Sequence, residues 1–172
     1  MKRLYTLLAA GVMIAALAMP VIAAPSPEAD TITPVTIVTT NVSNVSMEEP
    51  SQAMMEEVIR VTSNAQVLKD LNVPSSAHLA AVVMVDYSGT IPAGGVQIPF
   101  NVSKFAKKGD MVYILHRRSY APYSWEVVGQ SVLGNDLTVT GTFKSFSPVV
   151  FMVVDASEVT AAGVKSPKTG EF

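Results

Sequence analysis

The clearest order in the second half of this chain is alternation. Leu137, Val139, Gly141 and Phe143 alternate with Thr138, Thr140, Thr142 and Lys144. That period buries one face of a strand and wets the other. Val96, Ile98, Phe100 and Val102 alternate in the same way with Gln97, Pro99, Asn101 and Ser103. Pro99 has no N–H to give a ladder, which puts this strand near an edge. Leu79–Val85 and Val149–Val154 are apolar without a break, as in strands buried on both faces and therefore central. Met111–His116 and Trp125–Gly129 read as two further strands, with Trp125 and Val127 on one face. Turn chemistry separates these runs at Ser88–Gly95, Lys107–Asp110 and Gly134–Asp136. Six strands at this spacing predict an antiparallel sandwich or barrel.

The pattern upstream is helical. Met54, Val58 and Val61 form one apolar stripe, and Pro50 suits a first helical turn. Ser63-Asn-Ala-Gln66 resembles a capping box opening a second short helix, with Ala65, Leu68 and Leu71 as its apolar face and Pro74 ending it. Two short amphipathic helices of this kind cover a sheet or seal the end of a sandwich. The predicted fold class is therefore mainly β: an antiparallel, Ig-like β-sandwich of about six to seven strands, preceded by two short helices.

The first residues follow neither period. Lys2 and Arg3 precede an apolar run from Leu7 to Met19, Pro20 breaks it, and small residues follow at Ala23 and Ala24. This is the order of a secretory signal peptide, cut after Ala23 or after Ala24. The run is too short and too broken for a membrane anchor, so no membrane span is expected once it is removed. The expected organisation is a signal peptide over 1–23 and an extended Ser/Thr/Pro-rich leader over 24–50. A helix pair with the β-sandwich follows over 51–155, and a flexible tail over 156–172. Within the leader, the Thr-rich stretch 31–40 has strand propensity, and Pro34 restricts it to an edge.

Composition narrows the picture further. The 172 residues include no cysteine, which removes disulfides, thiolate metal sites and thiol catalysis. An exported domain without such staples is held by its core alone, a habit of bacterial rather than small eukaryotic secreted domains. The net charge of −2 argues against a nucleic-acid partner. Removing residues 1–23 makes the remainder more acidic, because that segment carries Lys2 and Arg3 but no carboxylate.

Several stretches carry a resemblance when taken in order. They are Gly109–His116, Trp125–Val128, Phe143–Val149, Val153–Asp155 and the Ser166–Glu171 tail. Together they resemble a largely uncharacterised β-sandwich module of secreted and surface proteins of Gram-positive gut bacteria. The resemblance covers roughly residues 55–171. It implies a secreted, extracellular or cell-wall location and a sandwich fold, and it carries no activity. The Leu-His to Trp-Glu hairpin is usually short in that module, but here it is lengthened by Arg117–Ser124. In the tail, Ser166, Pro167, Lys168, Thr169 and Gly170 resemble a sortase recognition pentapeptide, with Ser166 in place of the usual leucine. Such signals also require a following hydrophobic span and a basic stop, and here Glu171 and Phe172 follow.

Candidate chemistry is sparse. His78 and His116 are the two histidines, and neither has metal-ligand spacing. His116 alternates with Val112 and Ile114 and reads as a structural histidine. An enzymatic reading requires it beside a carboxylate in an ordered pocket. Asp110 reads as a turn residue. No cofactor, no metal site and no catalytic activity are expected. The candidate binding loop gathers Arg117, Arg118, Tyr120, Tyr123 and Trp125, residue types common in binding hot spots. Aromatic faces stack on sugars, and guanidinium groups pair with carboxylates or phosphates. The expected role is a structural or interaction module, adhesin-like, with a cell-wall or host glycan or protein as partner. The alternative is a carbohydrate-binding accessory module or exported enzyme component.

Overall fold

The computed structural model describes residues 38–161. The expected signal peptide with its cuts after Ala23 or Ala24, most of the leader, and the Ser166–Gly170 motif lie outside the described residues. Among the described residues the protein is mainly β, with seven strands in two antiparallel sheets. The strands are β1 (Val45–Glu48), β2 (His78–Tyr87), β3 (Val96–Asn101), β4 (Met111–Arg117), β5 (Trp125–Val132), β6 (Thr138–Phe143) and β7 (Pro148–Val154). Three short helices accompany them: α1 (Gln52–Thr62), α2 (Ala65–Asp70) and α3 (Ala156–Ala161). None is long and apolar enough to cross a membrane.

The larger sheet has the order β1-β2-β7-β4-β5, and the smaller pairs β3 with β6. The uninterrupted apolar runs become β2 and β7, and both lie inside the larger sheet because both their faces are covered. On β7, Val149, Phe151 and Val153 enter the core beneath β3 and β6, while Val150, Met152 and Val154 enter a second core beneath the helices. On β4, Val112 and Ile114 take the first side, and Tyr113 and Leu115 take the second. The smaller sheet is wet outside, so its strands keep the simple alternation, with Ile98, Phe100, Val139 and Phe143 inward and buried.

The helices cover the second face. Ser51 caps α1 by accepting the Met54 N–H, and Val58 is its buried anchor. The helix thus begins after Pro50 rather than on it. The cap of α2 is Asn64, whose Oδ1 accepts from the N–H groups of Gln66 and Val67. Ser63 closes α1 instead, so the expected capping box shifts by one residue. An Asn side chain one residue before the first helical N–H groups reaches them better than the serine does. Leu68 then joins Val58 over the sheet. Helix α3 lies in the stretch expected to be tail, and Val159 packs on the same core.

Residues 38–48 join the two sheets along one side. Thr39 and Asn101 exchange backbone hydrogen bonds in an antiparallel bridge at the edge of β3, and the chain then reaches β1 on the edge of β2. Val38 is buried there, and Val42, Val45 and Met47 pack against the sandwich core. The edge strand expected within 31–40 is represented among the described residues by that bridge. Residues 31–37 of that stretch lie outside the described residues, and β1 is a further edge strand, where Val45 and Met47 alternate with Ser46 and Glu48.

The Lys107–Asp110 turn holds as expected. Gly109 has φ 92°, a conformation that favours glycine. Buried Asp110 accepts the Lys107 N–H at 2.9 Å and the Ala156 N–H at 3.0 Å, fastening the start of α3 to the start of β4.

Candidate functional site

The lengthened hairpin joins β4 to β5. Its ladder runs through His116 opposite Glu126 and Arg117 opposite Trp125, and the Arg118 N–H donates to the Ser124 carbonyl at 3.0 Å. Residues 119–123 form the tip. Tyr120 is 48% and Tyr123 65% exposed, the two most exposed large apolar side chains of the described residues. Trp125 differs, because it begins β5 and packs half-buried in the helix-side core beside Val127.

Both arginines turn back onto the fold. Arg118 donates from Nε to Glu126 Oε2 at 2.8 Å, and Glu126 pushes the guanidinium pKa further up. Arg117 lies 3.1 Å from Glu57 Oε1 on α1, and its guanidinium carbon stands 5.7 Å over the Tyr123 ring. This cation–π contact leaves the other face of Tyr123 to solvent. The tip has a second tie, from the Ser119 N–H to Ser145 Oγ at 3.4 Å.

His116 lies beneath the loop and is wholly buried. Its Nδ1 is 3.3 Å from Glu126 Oε1, its Nε2 is 3.4 Å from Ser147 Oγ, and its ring meets the Phe143 ring edge-on at 5.6 Å. Ser147 donates to the backbone carbonyl of Arg117. Serine, imidazole and carboxylate therefore stand in the order of a hydrolytic relay. The hydroxyl proton, however, is directed at a backbone carbonyl, and the second oxygen of Glu126 is taken by Arg118. The five groups tie β4, β5 and the start of β7 to the base of the loop.

Burial lowers the His116 pKa, and the Glu126 hydrogen bond only partly opposes this. In the unfolded chain the ring titrates near its ordinary value of about 6.5. The unfolded state thus binds more protons just below that pH. Stability is full above about pH 6.5 and falls as the pH drops from there through the lower native value. The slope should approach, at most, about 1.4 kcal/mol per pH unit for one proton. Urea midpoints measured across pH 7.5 to 4.5 check this. The slope should flatten in His116→Gln, and an unchanged slope would assign it to other groups.

No family model matches the sequence, and comparisons with curated proteins and with solved structures return no match. The site therefore rests on its geometry. Of the candidate loop residues, Arg117 and Tyr123 meet in the cation–π contact, Arg118 pairs with Glu126, Tyr120 stands exposed, and Trp125 packs into the helix-side core. Sequence reasoning missed Glu57, Glu126, Ser145 and Ser147. Glu126 was open to discovery, because closing the hairpin on Arg117 and Trp125 sets it opposite His116. Glu57 carried no such signal, since the sequence does not say which part of the sheet α1 covers. Among the described residues no three His, Asp or Glu side chains gather as a metal site.

Proposed function

We propose that the protein is an exported bacterial interaction module, held at the surface of a Gram-positive cell or released from it, that binds its partner through the β4–β5 loop and performs no catalysis. The observation that carries this reading is the seat beneath the loop. Exposed tyrosines at a hairpin tip are common, but here the base is fastened by Glu57, Glu126, His116, Ser145 and Ser147. Ordering a loop before binding removes part of the entropy cost of association. The His116 group belongs to that seat, as a buried polar cluster whose members satisfy one another. The signal-peptide pattern of residues 1–23 and the Ser166–Gly170 motif supply the address.

Expression of the full chain in a Gram-positive host tests both parts. The product should appear in medium or wall with its N-terminus at Ala24 or Pro25. It should be retained by isolated cell walls or by mucin, and the double change Tyr120→Ala/Tyr123→Ala should weaken that retention at least tenfold. An intact leader inside the cell removes the address. Equal retention of the double variant removes the loop.

A further inference from the structure

We infer that the ligand of the β4–β5 loop is a neutral polysaccharide, gripped by the open faces of Tyr123 and Tyr120, and not an acidic one. The inference rests on the loop being the binding surface and adds the chemical class of what it binds. From sequence alone, the paired arginines favour an anionic partner equally well. In the structure each arginine is already neutralised by a carboxylate. Between Arg117 and Trp125 the only charged side chains are Arg117 and Arg118. Arg117 is ion-paired with Glu57 at 3.1 Å, and Arg118 is ion-paired with Glu126 at 2.8 Å. Each cation thus has its own carboxylate, and the loop offers a ligand no net charge of its own.

What remains outward is aromatic. Tyr123 keeps one face against Arg117 and turns the other to solvent, and Tyr120 stands exposed three residues before it. An electron-rich ring face attracts the slightly positive C–H groups on the flat side of a sugar ring. The phenol hydroxyls add donors and acceptors that suit sugar hydroxyls. An anionic polymer would meet each guanidinium beside a carboxylate that already neutralises it, Glu57 for Arg117 and Glu126 for Arg118. Displacing Glu126 would strip the partner from the buried His116 Nδ1. A neutral polysaccharide meets the loop without breaking either pair.

Affinity electrophoresis of the purified full-length protein decides the matter. The neutral probes are mannan, xylan and hydroxyethyl cellulose, and the anionic probes are heparin and wall teichoic acid. The wild type should be retarded by at least one neutral polymer. That retardation should hold between 0.05 and 0.5 M salt, since screening acts on charges alone. Tyr123→Ala should weaken it at least tenfold, whereas Tyr123→Phe, which keeps the ring, should stay within about threefold. Glu57→Gln, which frees Arg117, should gain salt-sensitive retardation by heparin that the wild type lacks. Wild-type binding to heparin or teichoic acid that fades with salt and needs Tyr123 overturns the neutral class but keeps the loop. Neutral binding that survives Tyr120→Ala/Tyr123→Ala overturns the loop itself, and retardation by none of the five polymers overturns the inference.

Discussion

Phe151→Ala is expected to cost about 4 kcal/mol of stability, with a fall in Tm of roughly 15 °C. Phe151 is wholly buried on β7, the middle strand of the larger sheet. Its ring stands edge-on to Phe100 at 5.2 Å and lies 5.8 Å from Phe105. Truncation opens a cavity between the two sheets that the rigid flanking strands cannot close. Phe100 loses one of its two ring partners and keeps Phe143, edge-on at 6.0 Å. Phe151→Leu refills most of the volume and should cost less than half as much. Urea midpoints of the three proteins check the order. A Phe151→Ala midpoint close to that of the leucine variant would mean that the aromatic cluster is not what joins the sheets.

Gly129→Ala should cost about 3 kcal/mol, although it adds a single methyl group. Gly129 lies on β5 against the backbone of β6. A Cβ at this position would stand 2.2 Å from the Thr140 carbonyl oxygen and 3.0 Å from the Gly141 Cα. Those are backbone atoms, so no side chain can turn aside, and the strands must separate. Gly94→Ala is the control, because a Cβ there meets nothing within 4 Å. The two variants should differ in urea midpoint by more than the spread among replicates. The Gly129 change should also loosen the loop, because β5 carries both Trp125 and Glu126. Equal midpoints would remove the close approach of β5 and β6 as a constraint on the fold.

The two changes probe different depths of what could be read from the sequence. The burial of Phe151 was legible, since Val149–Val154 is apolar throughout and a strand cannot hide both its faces at a sheet's rim. Gly129 was not legible as a contact point, because its constraint is the backbone of Thr140 and Gly141 on another strand, which no pattern near Gly129 announces. The loop divides in the same way. Its residue types are those of a candidate binding surface, but the sequence does not show how its two charges are paired. Only the positions of Glu57 and Glu126 show that both guanidiniums are already occupied.

By itself, the sequence determined the mainly β class, the faces of β3, β6 and β7, and the presence of helices before the sheet. These follow from the periods of strand and helix, which act between near neighbours in the chain. It also determined that Trp125 and Val127 share a face, and the structure sets both into the helix-side core. Tertiary structure alone decided that β7 lies between β2 and β4, that Val45–Glu48 adds a strand at the edge of β2, and that α1 brings Glu57 to Arg117. It alone separated the exposed tyrosines from the half-buried tryptophan of the same loop. Those outcomes depend on which distant segments meet, and the free energy that selects them comes from burial and pairing across the whole core rather than from any local preference.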